Sequence, residues 1–186
     1  NGAYPISNWA WEFTDGQTSL AASPNMNFPQ LGAYGATVVI TKAAGCKDEI
    51  TLGDALVHPL PVADYQTNLQ HCFQEALTFS DASTLEILSD DQIVSWVYQY
   101  GDGSTESLAD GTHDYASAGF YDLELTVTTN HGCEDVETNQ VEVFPLPEVA
   151  FDADPKEGCD PLAVQFLDQS TITAPYSLSS WQWNLG

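Results

Sequence analysis

One phrase, written three times, constrains this chain more than any other feature. Trp96–Gly103 reads WVYQYGDG, Trp9–Gly16 reads WAWEFTDG, and the last six residues read WQWNLG from Trp181. The tryptophans are offset by 87 and then 85 residues. Phe28, Gly32 and Tyr34 recur as Tyr115, Gly119 and Tyr121, each 87 positions on. Gly45-Cys46 recurs as Gly132-Cys133 and Cys72 as Cys159, again at 87, and Pro59/Pro61 recurs as Pro145/Pro147 at 86. A fixed period of this length marks a row of like modules. It implies one complete module over 62–147, the C-terminal part of another over 1–61, and the N-terminal part of a third over 148–186. Each partial module lacks strands that complete its sheets, so both are expected to be less ordered than the middle one.

Within a period the pattern alternates at two residues, not 3.6. Strands are expected near 62–67, 75–80, 93–100, 104–108, 112–115, 120–129 and 134–144. In 120–129 (FYDLELTVTT), Tyr121, Leu123, Leu125 and Val127 share one face and Asp122, Glu124 and Thr126 the other. That is one face for a core and one for water. Gly101-Asp102-Gly103, Asp110-Gly111 and Asn130-His131-Gly132 supply turns. Seven short strands per period predict an all-β fold of tandem immunoglobulin-like sandwiches, with Trp96 in a core. The aromatic phrase loads one face of a central strand. The glycines after it turn the chain tightly because they take positive φ without strain.

The sequence W-x-Y-x-Y-G-D-G, followed by THDYASAGFYDLELTVTTNHGC, resembles the PKD (polycystic kidney disease) domain. The family's usual form is W-D-F-G-D-G, then H-x-Y, then G-x-Y-x-V-x-L-x-V. The likeness covers the middle module and extends into both partial ones. It departs at the first Asp of the phrase, which is Gln99 here, Glu12 in the first copy and Asn184 in the third. Thr14 also replaces the first Gly of the first copy. These departures leave the fold reading intact and weaken any site that uses that Asp. The resemblance implies tandem modules of large secreted bacterial surface proteins of the Bacteroidetes type. It also implies the settings of such proteins: type IX secretion, gliding adhesins and secreted hydrolases.

Charge narrows the partners. Three Lys plus Arg face 27 Asp plus Glu, a net charge of −24. Such a surface repels phosphate and offers no basic stripe, which disfavours nucleic acid and anionic membranes. No apolar run approaches the length that spans a bilayer, so membrane insertion is not expected. Neighbouring repeats are the expected contacts, with a polysaccharide, a surface protein or secretion machinery as further partners.

The chemistry visible in the sequence is sparse. Cys46, Cys72, Cys133 and Cys159 are expected to form disulfides, which implies an extracytoplasmic setting. Either Cys72 bonds Cys133 within a module, or each thiol bonds a neighbouring module, with partners outside residues 1–186. The inferred topology puts the first loop and the last hairpin at opposite ends of a sandwich, which favours the second pairing. No C-x-x-C or paired-His spacing points to zinc. Calcium is the one cofactor kept, with Asp102 in the turn, Asp152 and Asp154 near a module junction, and Asp90-Asp91 in the loop between the second and third strands as candidate oxygen ligands. His58, His71, His113 and His131 all fall near strand ends or turns, and no nucleophile elbow or metalloprotease helix is present. The segment is therefore expected to be non-catalytic: a stiff extracellular stalk or spacer in an adhesin-like surface protein. A glycan- or protein-binding module is one alternative. A spacer tethering a secreted hydrolase is the other.

Overall fold

The structure, a computed structural model, describes residues 6–184. Residues 1–5 of the first expected segment and 185–186 of the third lie outside the described residues. The chain gathers into two compact units. Among the described residues, one takes 6–62, 83–94 and 127–135, and the other takes 63–82, 95–126 and 136–184.

The first unit is built on an antiparallel sheet. Its strands are β1 (Ile6–Phe13), β2 (Thr18–Ser19), β3 (Gly32–Lys42) and β4 (Lys47–Val57), in the order β2-β1-β3-β4. Alternation sets the register: Trp9 stands opposite Ile40, Trp11 opposite Val38 and Phe13 opposite Ala36. Strand β4 turns its apolar residues outward, with Ile50 and Leu52 69% and 66% exposed.

The second unit carries β5 (Tyr65–Thr67), β6 (Gln70–Cys72), β7 (Leu77–Asp81), β8 (Ile93–Gln99), β9 (Thr105–Glu106), β10 (Asp110–His113), β11 (Gly119–Thr129) and β12 (Glu134–Phe144). The ends of β8, β11 and β12 belong to the first unit. These strands form a three-stranded sheet, β10-β7-β5, and a five-stranded sheet, β6-β12-β11-β8-β9. A short hairpin of β13 (Phe151–Asp154) and β14 (Gln165–Asp168) follows. The sequence missed β6, a three-residue strand parallel to the end of β12 and too short to show a period.

The core of the second unit lies between its sheets. Leu77, Tyr98, Tyr100, Leu123, Leu125 and Val141 have no exposed surface. Each such side chain contributes roughly 1.5–3 kcal/mol relative to leaving it in water. Stability therefore concentrates here and not in β4. The alternation read along β11 holds: Leu123, Leu125 and Val127 are buried and Asp122 is exposed. Trp96 is only half-buried; the deepest aromatics of the phrase are Tyr98 and Tyr100, two and four residues further along the same face. Burial holds the hydroxyls of Tyr98 and Tyr100 protonated well above the ordinary tyrosine range.

Candidate functional site

Two histidine–aspartate arrangements stand out, and they differ in how the chain builds them. The local one closes the Gly-Asp-Gly turn after β8. Gly101 has φ +75°, and a Cβ there would meet the backbone N of Asp122 at 2.7 Å, so only glycine fits. Asp102 accepts hydrogen bonds from the Ser104 N–H at 2.9 Å and from His113 Nε2 at 2.8 Å. Burial acts to raise the Asp102 carboxyl. The bonds from Ser104 and His113 outweigh it and hold the group below the ordinary aspartate value. The His113 ring stacks on Tyr100 at 3.9 Å, and the Tyr115 hydroxyl donates to the Tyr100 carbonyl. His113 and Tyr115 therefore fasten the turn to the core, which accounts for the H-x-Y element in structural terms.

The second arrangement lies in the first unit and draws on three distant segments. His58 follows β4, Asp91 sits in the β7–β8 loop, and His131 sits in the β11–β12 turn. His58 Nδ1 donates to Asp91 Oδ1 at 2.7 Å, and His131 Nε2 lies 3.1 Å from Asp90 Oδ1 and 3.8 Å from Asp91 Oδ1. The two imidazoles stack at 3.5 Å, 12° from parallel. The Asp91 side chain is 1% exposed. Its other oxygen, Oδ2, accepts from the N–H groups of Leu88 and Ser89. Burial alone raises the Asp91 carboxyl, and the bonds from His58, Ser89 and Leu88 reverse that and leave it below the ordinary range. Asn130 locks the two loops together. Its amide donates to the Asp90 carbonyl and accepts from the Gln92 N–H, each at 3.0 Å.

Of the acids expected for calcium, Asp102, Asp152 and Asp154 form no common site, while Asp90 and Asp91 lie beside the two imidazoles. Asp102 closes its own turn, Asp152 in β13 pairs with Lys156 at 2.8 Å, and Asp154 ends the same strand. Among the described residues the one set of three potential ligands within 4.8 Å is His58, Asp91 and His131. Spacing gave no warning of it. The available signal was a break in the repeat, since His58-Pro59-Leu60-Pro61 answers Phe144-Pro145-Leu146-Pro147.

All four cysteines are free. Cys133 immediately precedes β12, whereas Cys72 pairs with Phe144 at the far end of that strand, 11 residues away. At about 3.3 Å per residue roughly 35 Å of strand separates them, against the ~7 Å a disulfide tolerates. No bond between these two closes within this fold.

Comparison with known proteins adds the family. The chain is 35% identical over 72 residues to a microbial collagenase of Vibrio alginolyticus, covering 39% of this chain and 9% of that protein. It is 24% identical over 138 residues to the pre-pro-metalloprotease PrtV of Vibrio cholerae, covering 74% of this chain and 15% of that protein. It thus spans less than a sixth of the curated relatives it matches. The crystal structure of the PKD1 domain of the Vibrio cholerae metalloprotease aligns at 30% identity with a TM-score of 0.40, covering 45% of this chain and 96% of that one. A family model described as the PKD domain matches residues 2–56 and 58–143, most of the sequence. This chain belongs to the PKD domain family.

Proposed function

We propose that the segment is a non-catalytic spacer of an extracellular, adhesin-like surface protein, holding other domains at a set distance. The observation that carries the reading is the repeat itself: modules at a period of 86–87 residues joined by linkers as short as HPLP and FPLP. Proline in both linkers limits backbone freedom, which favours stiffness over hinge motion. The titratable groups support it too, since the Asp102–His113 pair joins a turn to β10 and the Asp91–His58 pair joins a loop to the segment after β4. The thiols, free within this chain, are suited to staple further modules on either side.

A second reading has its own support. The relatives that contain matching segments are named collagenases and a metalloprotease, so the spacer would tether a hydrolase outside residues 1–186. In both readings the segment itself turns over no substrate. Small-angle X-ray scattering on the chain, with peptide and polysaccharide turnover assays beside it, tests the proposal. A rod-like profile that does not change with salt, and no turnover, is expected. A flexible-chain profile, or hydrolysis by the purified segment, would overturn it.

A further inference from the structure

The Asp91 carboxylate sets the problem. It is shielded from water, and the chain's Lys and Arg amount to Lys42, Lys47 and Lys156 alone. Its ion-pair contacts are to imidazoles, His58 and His131. A buried carboxylate needs a full positive partner to offset its lost hydration. A neutral imidazole supplies only a hydrogen bond.

The surroundings are built. Backbone N–H groups of Leu88 and Ser89 hold Oδ2, which aims Oδ1 at the two rings. Outer hydrogen bonds of this kind orient metal-ligating carboxylates. Asn130 fixes the two loops that carry Asp91 and His131. One ligand atom each of His58, Asp91 and His131 lies within 4.8 Å of the other two. Two imidazole nitrogens and one carboxylate oxygen form a donor set suited to zinc and its neighbours. Ligands about 2.0–2.1 Å from a tetrahedral zinc stand roughly 3.3 Å apart. The 2.7 Å and 3.8 Å separations from Asp91 Oδ1 bracket that value. Asp90 Oδ1, 3.1 Å from His131 Nε2, offers a fourth oxygen at the rim.

We propose that His58, Asp91 and His131 bind a divalent cation of the zinc class, which clips the segment after β4 to the β7–β8 loop and the β11–β12 turn. The cation takes the place of the proton on His58 Nδ1: a neutral ring moves that proton to Nε2, and a protonated ring releases one to solvent. One ion cannot lie in the planes of two parallel rings 3.5 Å apart. Loading therefore turns one ring out of the stack, and His131, on the turn and 27% exposed, is the one that moves, giving up its 3.2 Å contact with Asn130 Nδ2. Calcium is disfavoured here, because it takes six to eight oxygens and makes little use of imidazole. The absence of a local zinc spacing is no objection, since the ligands lie 33 and 40 residues apart and the fold brings them together.

The test uses the full chain with its thiols alkylated, so that cysteine cannot capture the probe. Cobalt(II) is titrated at neutral pH and followed by visible absorption, with zinc and then calcium as competitors. One cobalt per chain with tetrahedral-type bands, displaced by zinc and not by calcium, is expected. His131→Ala, on the turn, should weaken binding about a hundredfold or more while circular dichroism stays unchanged. His113→Ala, which removes the imidazole paired with Asp102, should leave the affinity intact. No cobalt binding by the folded chain would overturn the site. So would unchanged binding in His131→Ala, or equal loss in His113→Ala.

Discussion

The chain writes the same linker twice and fastens it in two ways. His58-Pro59-Leu60-Pro61 is held through a histidine–aspartate contact, His58 to Asp91 at 2.7 Å. In Phe144-Pro145-Leu146-Pro147 the corresponding residue is aromatic. Phe144 meets Tyr176 edge-on at 5.5 Å, and the Tyr176 hydroxyl donates to Glu142 at 3.0 Å. The repeat fixes where a linker falls. The single residue before its first proline decides whether the anchor is ionic or apolar. A histidine–aspartate anchor responds to acid and to cations, whereas the Phe144 ring contact itself carries no titratable group.

The largest effect should come from removing the ionic anchor. His58→Ala leaves the shielded Asp91 carboxylate without its nearest partner, and breaking such a pair costs more than the pair gains. Thermal unfolding should show Tm lower by on the order of 10 °C. A change within experimental error would show that the contact holds nothing. Phe144→Ala comes next, losing a half-buried ring and its edge contact, about 2 kcal/mol or roughly 5 °C in the same measurement. That loss should be equal at pH 5 and pH 8.

The pH limbs separate the two linkers more finely. The Asp91 carboxyl lies below the ordinary 3.8 in the folded state. Its contribution is therefore complete above that value and is lost as pH falls through the folded-state value. Burial, then the bond to Glu142, raises the Tyr176 hydroxyl above the ordinary 10.0. Its contribution is present below 10.0 and is lost as pH rises through the folded-state value. Acid unfolding of His58→Ala should thus lose part of the wild-type limb, and alkaline unfolding of Tyr176→Phe should do the same. Each midpoint should shift by roughly a few tenths of a pH unit. Identical acid limbs in wild type and His58→Ala would remove the ionic account. The smallest effect belongs to Leu60→Ala, at a side chain 69% exposed. It should change denaturant stability by less than about 0.5 kcal/mol. A loss of more than ~1 kcal/mol would mean that this leucine carries part of the anchor.

What could be read in advance follows the range of each interaction. The β11 strand and the Gly-Asp-Gly turn were legible, because each is set within about a dozen residues by alternation or positive φ. β6 was not legible, since three residues carry no period and its pairing is made across the chain with β12. Asp152 and Asp154 share one face of β13, but Asp152 is taken up by Lys156 and Asp102 by Ser104 and His113, so these acids form no common site.

The sequence alone determined the period, the β alternation, the family and the acidity, all properties that add up residue by residue along the chain. The tertiary structure decided that His58, Asp91 and His131 meet, that β6 pairs with the end of β12, and that Tyr98 and Tyr100 lie deeper than Trp96. Those outcomes depend on which segments the folded sheets bring within a few ångströms, and loop closure over tens of residues leaves no local mark in the sequence.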